Sequence, residues 1–588
     1  MIALKHSPIR RAIPFLIAVC FVSLPAYAKY SGGSGTADNP YQIATAADLI
    51  ALGETPEDYD KHFLLTADID LDPNLPGRKV FDKAVIAPDT NPTNVGRFDG
   101  TPFTGVFDGN GHTISHLTIK GKDFLGLFGQ LGGWPSSVGE VKNLGVVGVN
   151  IAGSGGYIGG LVGQNNGSLV QCYSTGAVSG TSNVGGLVGH NYGTVAQCYS
   201  NAAVSGVGTV GGLVGDQDGR VTCCYSSGAV SGSWSVGGLV GETADVWGVY
   251  VVASFWDIQS SGQPTSRGTG KTTAEMQNIQ TYQDAGWDFV DEIEDGTHEI
   301  WQMPPGGGYP ILAIFSGYTP PQLQGTGTPG DPFLISDALE LGAMWRYSPD
   351  AHYRLAADID LSGVRWSTAV IPSLAGTFDG DGHTILHLTI KTIEAEGYGG
   401  LFGYLRSGAE VKNLGVVDAN ITGSGVAVAV GGLVAQNYGH VTRCYSTGGV
   451  RGRGMMVSVG GLVRQNYGNV TYCYSTCSVS GGGAGLVGEN DGSVVHCYST
   501  GAVSGTSGVG GLVRSNRGTV TGCFWDTQTS GQNTSAGGTG KTTAQMQTAK
   551  TFLDAGWDFV GETANGTEDI WWILEGKDYP RLWWEAHN

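Results

Sequence analysis

Positive charge is scarce in this sequence: 31 Lys and Arg stand against 51 Asp and Glu, a net charge of −20 over 588 residues. That balance is poor for binding nucleic acid or anionic lipid, and it favours solubility or association with cations. Long apolar runs are missing too. Beyond residues 12–24, no stretch approaches the ~18 consecutive apolar residues of a membrane-spanning helix. There is no His-Glu-x-x-His, so the zinc-peptidase signature is absent. The 99 glycines follow no Gly-X-Y period, which excludes collagen. Hydrophobic residues, at 40% and regularly placed, argue against disorder. The length exceeds one compact core, so several domains or an elongated solenoid are expected.

The N-terminus has the form of a secretory signal. Lys5, Arg10 and Arg11 give the basic region, 12–24 the apolar run, and Ala26-Tyr27-Ala28 a small-x-small cleavage site. The reading is a protein secreted or associated with the cell surface, cleaved near Ala28, with no transmembrane segment. Nine cysteines then remain. Disulfides are the first expectation outside the cytoplasm, but the spacing points elsewhere. Cys172, Cys198 and Cys224 recur every 26 residues, and Cys444, Cys473, Cys497 and Cys523 nearly so. Equivalent residues on stacked coils lie ~4.8 Å apart, slightly long for a disulfide. They are therefore read as a buried ladder, with Cys223 and Cys477 outside it.

That spacing belongs to a repeat. Leu161, Leu187, Leu213 and Leu239 are 26 residues apart, and Leu433, Leu462, Leu486 and Leu512 form a second, looser series. A fixed period of this size signals a solenoid whose units bury their apolar faces only against one another. Strands near the leucine, the cysteine and Val178 predict about three per coil, an all-β parallel β-helix, right-handed by default. Asn165, Asn191, Asn437, Asn466, Asn490 and Asn516 share one coil position, with Gln217 as the exception, and predict an amide ladder. The position before the cysteine (Gln171, Gln197, Cys223, Arg443, Tyr472, His496, Gly522) varies and is expected to face water. Val195 and Cys198 both read as buried three residues apart, so a corner or bulge must separate them.

Two tandem modules repeat each other: 29–257 with coils at 157–257, and 327–527 with coils at 428–526. Residues 258–315 and 528–588 are Trp-rich C-terminal segments, expected to cover coil ends. Thr272 with Glu275, and Thr542 with Gln545, predict capping boxes opening a helix closed by Gly286 or Gly556. Residues 316–326 read as a linker.

The repeated Gly-Gly-Leu-Val-Gly-x-Asn-x-Gly-x-Val-x-x-Cys-Tyr-Ser-Thr-Gly-x-Val-Ser-Gly, best at 185–206 and 211–232, resembles the GLUG motif of large secreted and surface bacterial proteins. The Phe-Asp-Gly-Asn-Gly-His-Thr-Ile segment at 107–114 fits the same class. The resemblance implies an extracellular adhesive or structural role and carries no catalytic residue onto this chain. Copies depart at 242–245, where the Asn-x-Gly turn is lost, and at Arg464 and Arg514, which replace a glycine.

Motifs with chemical potential are each set against a structural reading. Gly-Thr-Gly-Lys-Thr-Thr (268–273, 538–543) lacks the first glycine of a phosphate loop and is read as a helix cap. His112 and His383, near Asp108, Asp379 and Asp381, are read as tight turns before strands rather than an acid/base or metal cluster. Asp68, Asp70, Asp72, Asp358 and Asp360 could hold calcium with backbone carbonyls, although they lack an EF-hand loop. Solvated carboxylates are the favoured reading there. Tyr173, Tyr199, Tyr225, Tyr445, Tyr474 and Tyr498 should stack into an outer stripe, a candidate platform for polysaccharide or protein on a cell or matrix surface. Sequence thus points to a non-enzymatic adhesive or envelope-associated protein without cofactor. The alternative, an extracellular polysaccharide lyase or glycosidase, predicts a carboxylate cleft beneath the loops at 72–104.

Overall fold

The computed structural model describes residues 29–586, except 92, 95, 134–138, 244–249, 393–397, 426–428, 455–457 and 506–507. The signal-like segment at 1–28 lies outside the described residues.

The fold is a parallel β-solenoid in two modules. In the first, strands equivalent to Thr194–Ala196 stack into an eight-stranded sheet. Val162, Val188, Val214 and Val240 sit in successive register on a second sheet. Leu187 donates its N–H to Leu213 O at 2.9 Å, and Leu213 to Leu239 O at 2.8 Å. The four leucines of this series are fully buried, so one column of identical side chains fills the core. The expected strands near the leucine and the cysteine are each broken by a corner. One coil therefore carries Ser182–Gly185, Val188–Asn191, Thr194–Ala196, Tyr199–Ser200 and Ala203–Ser205. In the second module several of these segments fuse, as in His440–Gly454.

The corner before the cysteine is a left-handed residue. Asn143, Gln171, Gln197, Cys223, Arg443, Tyr472 and His496 all have φ between 48° and 55°. Such backbone is unfavourable for residues other than glycine and persists only when neighbours over-determine it. Here the next coil does so: Gln171 N donates to Ala196 O at 3.1 Å and Gln197 N to Thr222 O at 2.9 Å. One αL residue resets the alternation, so Val195 and Cys198 both point inward.

The cysteines form the expected ladder, each backbone N–H meeting the next sulfur (Cys172 N to Cys198 Sγ, 3.4 Å). All nine described cysteines are unbridged and buried. The amides stack as well: Asn165 Nδ2 reaches Asn191 Oδ1 at 2.7 Å, and Asn191 Nδ2 reaches Gln217 Oε1 at 2.9 Å. Each column asparagine also turns its own chain, as where Gly167 N donates to Asn165 Oδ1. Among the described residues, Gln217 Nε2 has no partner at the top of the first ladder.

Helices Ala46–Gly53 and Ala338–Ala343 open the modules, the first through a Thr45/Asp48 capping box, the second with Asp337 accepting from Glu340 N. The expected boxes at Thr272/Glu275 and Thr542/Gln545 are both formed. The single helix expected after each is instead two short ones, Thr273–Met276 and Gln280–Gln283 in the first module. Gly286 and Gly556 follow the second of these pairs with φ of 77° and 86°.

The modules touch through the first C-terminal segment. Thr297 Oγ1 donates to Ala338 O, His298 Nε2 to Val370 O at 2.7 Å, and Arg346 Nη2 to Glu299 O at 2.7 Å. The stretch read as a linker is itself packed. Leu323 joins the second module's core, and Gln324 bridges to Leu334 as Gly32 does to Gln42.

Candidate functional site

The tyrosine stripe is present but covered. Tyr173, Tyr199 and Tyr225 stack at 4.8 and 4.9 Å with rings within 6° of parallel, and Tyr445, Tyr474 and Tyr498 at 4.8 and 5.0 Å. Parallel coils in register produce this spacing directly. The C-terminal segments do more than close the coil ends. Trp256 and Trp525 join the core clusters at the last coil, and the remaining chain folds back over the tyrosines. Tyr225 is wholly buried and donates to Pro310 O; Tyr498 likewise donates to Pro580 O. Tyr474 donates to Glu585 Oε2, and Phe315 sits edge-on to Tyr173. The stripe is therefore an internal seam and offers no platform to a ligand. The same cover buries Cys223, and Gln171 is buried as well, although both were expected to face water.

A group of exposed tyrosines lies on a different face, at the Asn-x-Gly turns beside the leucine sheet. Tyr192, Tyr438 and Tyr467 are 50%, 37% and 40% exposed. Tyr404, Tyr438 and Tyr467 form a ribbon with ring centres 5.1 and 4.4 Å apart. Gln436 and Gln465, joined amide to amide at 3.2 Å, flank it. The signal in the sequence was the Asn-Tyr-Gly triplet at 191–193, 437–439 and 466–468.

The corresponding face of the first module is acidic and aromatic. His190 is 4% exposed, stacked on Tyr157 at 5.7 Å and beside Tyr192 at 4.1 Å. Its Nε2 lies 3.0 Å from Asp218 Oδ2 and 3.7 Å from Asp216 Oδ2. Asn183 Nδ2 donates to Asp216 at 3.1 Å, and Glu242 pairs with Asp216 on the next strand. Burial raises the Asp216 carboxyl above its ordinary pKa, against the pull of His190. Sequence reading passed over this group, because a 26-residue separation hides what the solenoid brings into contact.

The other candidates are held at coil corners. Asp68 accepts from Thr113 N at 2.7 Å and lies 3.4 Å from His112; Asp70 meets His116 Nδ1 at 2.9 Å. Asp358 accepts from Thr384 N and pairs with His383, and Asp360 with His387 at 2.7 Å. Hydrogen bonds from Ser362 and His387 pull the Asp360 carboxyl down to about 2. Asp72 accepts from Asn74 N. Each carboxylate thus fastens one coil to its neighbour or closes a turn. Asp108 and Asp379 close the turns before the strands, accepting from Asn110 N and Asp381 N. Beneath the overhanging loop of the first module lies a cavity of 460 Å³, where Glu54 and Asp82 stand with Lys79 and Lys83.

No family model matches the sequence. Over 154 residues, 26% of this chain, it is 35% identical to "Halomucin" of Haloquadratum walsbyi, covering 2% of that protein. Over 179 residues, 27% of this chain, it is 33% identical to a "Putative Gly-rich membrane protein" of Evansella cellulosilytica, covering 18% of it. A solved "putative immunoglobulin A1 protease" from Bacteroides ovatus aligns with 49% of this chain and 96% of its own, at 19% identity and a TM-score of 0.33. The alignments thus span only a small fraction of each curated relative's length.

Proposed function

We propose that the protein is an exported, non-catalytic adhesive or envelope-associated repeat protein that binds polysaccharide or protein through the outer face of its leucine sheets. The observation that carries this reading is the exposed ribbon Tyr404, Tyr438 and Tyr467 on a rigid, register-locked surface. Rings held a few ångströms apart with amides alongside suit the apolar faces and hydroxyls of consecutive sugars. The signal-like N-terminus and the partial likeness to a halomucin and to a putative Gly-rich membrane protein support a location outside the cell.

A glycan array on the full chain, combined with an assay for reducing-end release, tests the proposal. Binding should fall roughly tenfold or more in Tyr438→Ala/Tyr467→Ala, with an unchanged melting temperature because both rings are exposed. Turnover of any polysaccharide would remove the non-catalytic reading in favour of the lyase or glycosidase alternative. The raised Asp216 carboxyl beside Asp218 makes that alternative worth the second assay.

A further inference from the structure

His190, Asp216 and Asp218 are brought together by stacking alone. His190 and Asp216 are register partners on adjacent coils, and Asp218 follows Asp216 across the column residue Gln217. One ligand atom from each residue falls within 4.8 Å of the other two. Ligands about 2.0–2.1 Å from a tetrahedral ion lie about 3.3 Å apart. The observed separations from His190 Nε2, 3.0 and 3.7 Å, bracket that value. The imidazole is fixed by its aromatic neighbours, and Asn183 fixes Asp216, so the donors are held in place before any ion arrives.

The second module supplies an internal comparison. Gln465, Glu489 and Asp491 occupy the same coil positions. There the carboxylates are met by arginines: Arg514 Nη1 lies 3.2 Å and Arg464 Nη2 3.8 Å from Glu489 Oε1, and Arg517 3.5 Å from Asp491. At the positions of Arg464 and Arg514 the first module has Gly189 and Gly241. One face thus carries its own guanidinium counter-charge, whereas its twin has an imidazole ligand and close-packed glycines where those arginines stand.

We infer that His190, Asp216 and Asp218 form a binding site for a divalent transition ion of the zinc or manganese type, specific to the first module. One nitrogen and two carboxylate oxygens suit such an ion, whereas calcium takes oxygen ligands. Three protein donors leave further coordination positions open to water or to a ligand oxygen.

The test is calorimetric titration of zinc, manganese and calcium chlorides into the chelator-treated full chain, with melting curves alongside. We expect one site for zinc or manganese, calcium at least tenfold weaker, and a raised melting temperature with the preferred ion. Asp216→Asn/Asp218→Asn should weaken binding at least tenfold, and Glu489→Gln should leave it unchanged. Because the double variant alters a packed face, His190→Gln serves as a second probe; it installs the residue found at the same place in the second module. Cobalt(II) bound to the wild-type chain should show the visible bands of a nitrogen-containing, low-coordinate site. Absence of binding and of any melting shift, calcium binding as tight as zinc, undiminished binding in folded variants, or an all-oxygen six-coordinate cobalt spectrum would each overturn the assignment.

Discussion

At the scale of single residues, this chain spends its uniformity on columns. Asn191 accepts from Asn165, donates to Gln217, and also donates to Arg220 O. Asn191→Ala removes the middle amide and strands buried partners on both sides. It should cost about 1–3 kcal/mol, read as a lower denaturation midpoint with an unchanged slope. Gly186 is less forgiving. A Cβ there would lie 2.1 Å from Ser200 Oγ and 2.3 Å from Gly212 O, the latter being backbone of the next coil. Gly186→Ala should therefore leave the first module open to limited proteolysis at temperatures where wild type resists. The asparagine column was legible because one residue type recurs at one period. The left-handed corner was legible only as a break in alternation, since Gln197, Cys223, Arg443 and Tyr472 share a φ but no chemistry.

At the scale of elements, the C-terminal segments change what the solenoid presents. Trp287 packs against Tyr225, Tyr282 and Trp301, and its indole N–H donates to Ala253 O at 2.8 Å. Trp287→Ala should cost about 3–5 kcal/mol within that segment. The expected result is uncovering of Tyr199 and Tyr225, seen as increased dye binding and acrylamide quenching. Amide protection of the leucine strands should persist, because coils stabilise one another locally. Placing the tyrosines outward from the core was sound from alternation. Outward from a core is not the same as into water, and nothing in the local pattern told the two apart. The apolar, Trp-rich composition of 287–315 was the available clue, since such a segment must bury itself on something.

At the scale of the whole molecule, the junction contains two groups that titrate against each other. Burial lowers His298 to about 4 from an ordinary 6.5, so its contribution to stability is complete above pH 6.5 and is lost as pH falls towards 4. Burial raises Glu299 to about 7 from an ordinary 4.5, so its contribution is complete below pH 4.5 and is lost as pH rises to 7. The two slopes oppose each other in the wild-type chain. Relative to wild type, Glu299→Gln should gain stability as pH rises from 4.5 to 7. His298→Gln, relative to wild type, should gain stability as pH falls from 6.5 to 4. Melting curves across that range check both, and parallel wild-type and variant curves would refute the assignment. Neither residue stood out in the sequence, because their burial depends on the second module's Trp345 and Val370 arriving from far along the chain.

The architecture follows from the repeat alone. A 26-residue period of Leu, Asn and Cys can bury its apolar side chains only by stacking, and stacking places like residues over like. Local sequence also determined the helix caps, whose hydrogen bonds join residues three apart. Which surfaces stay available to a partner depends on how the whole chain packs. The tyrosine stripe was removed by a segment that folds back on it, the Asn-Tyr-Gly ribbon was left exposed, and His190 met Asp216 and Asp218 across coils. The physical reason is range: periodicity fixes contacts between neighbouring coils, whereas solvent exposure depends on chain that packs from outside the repeat.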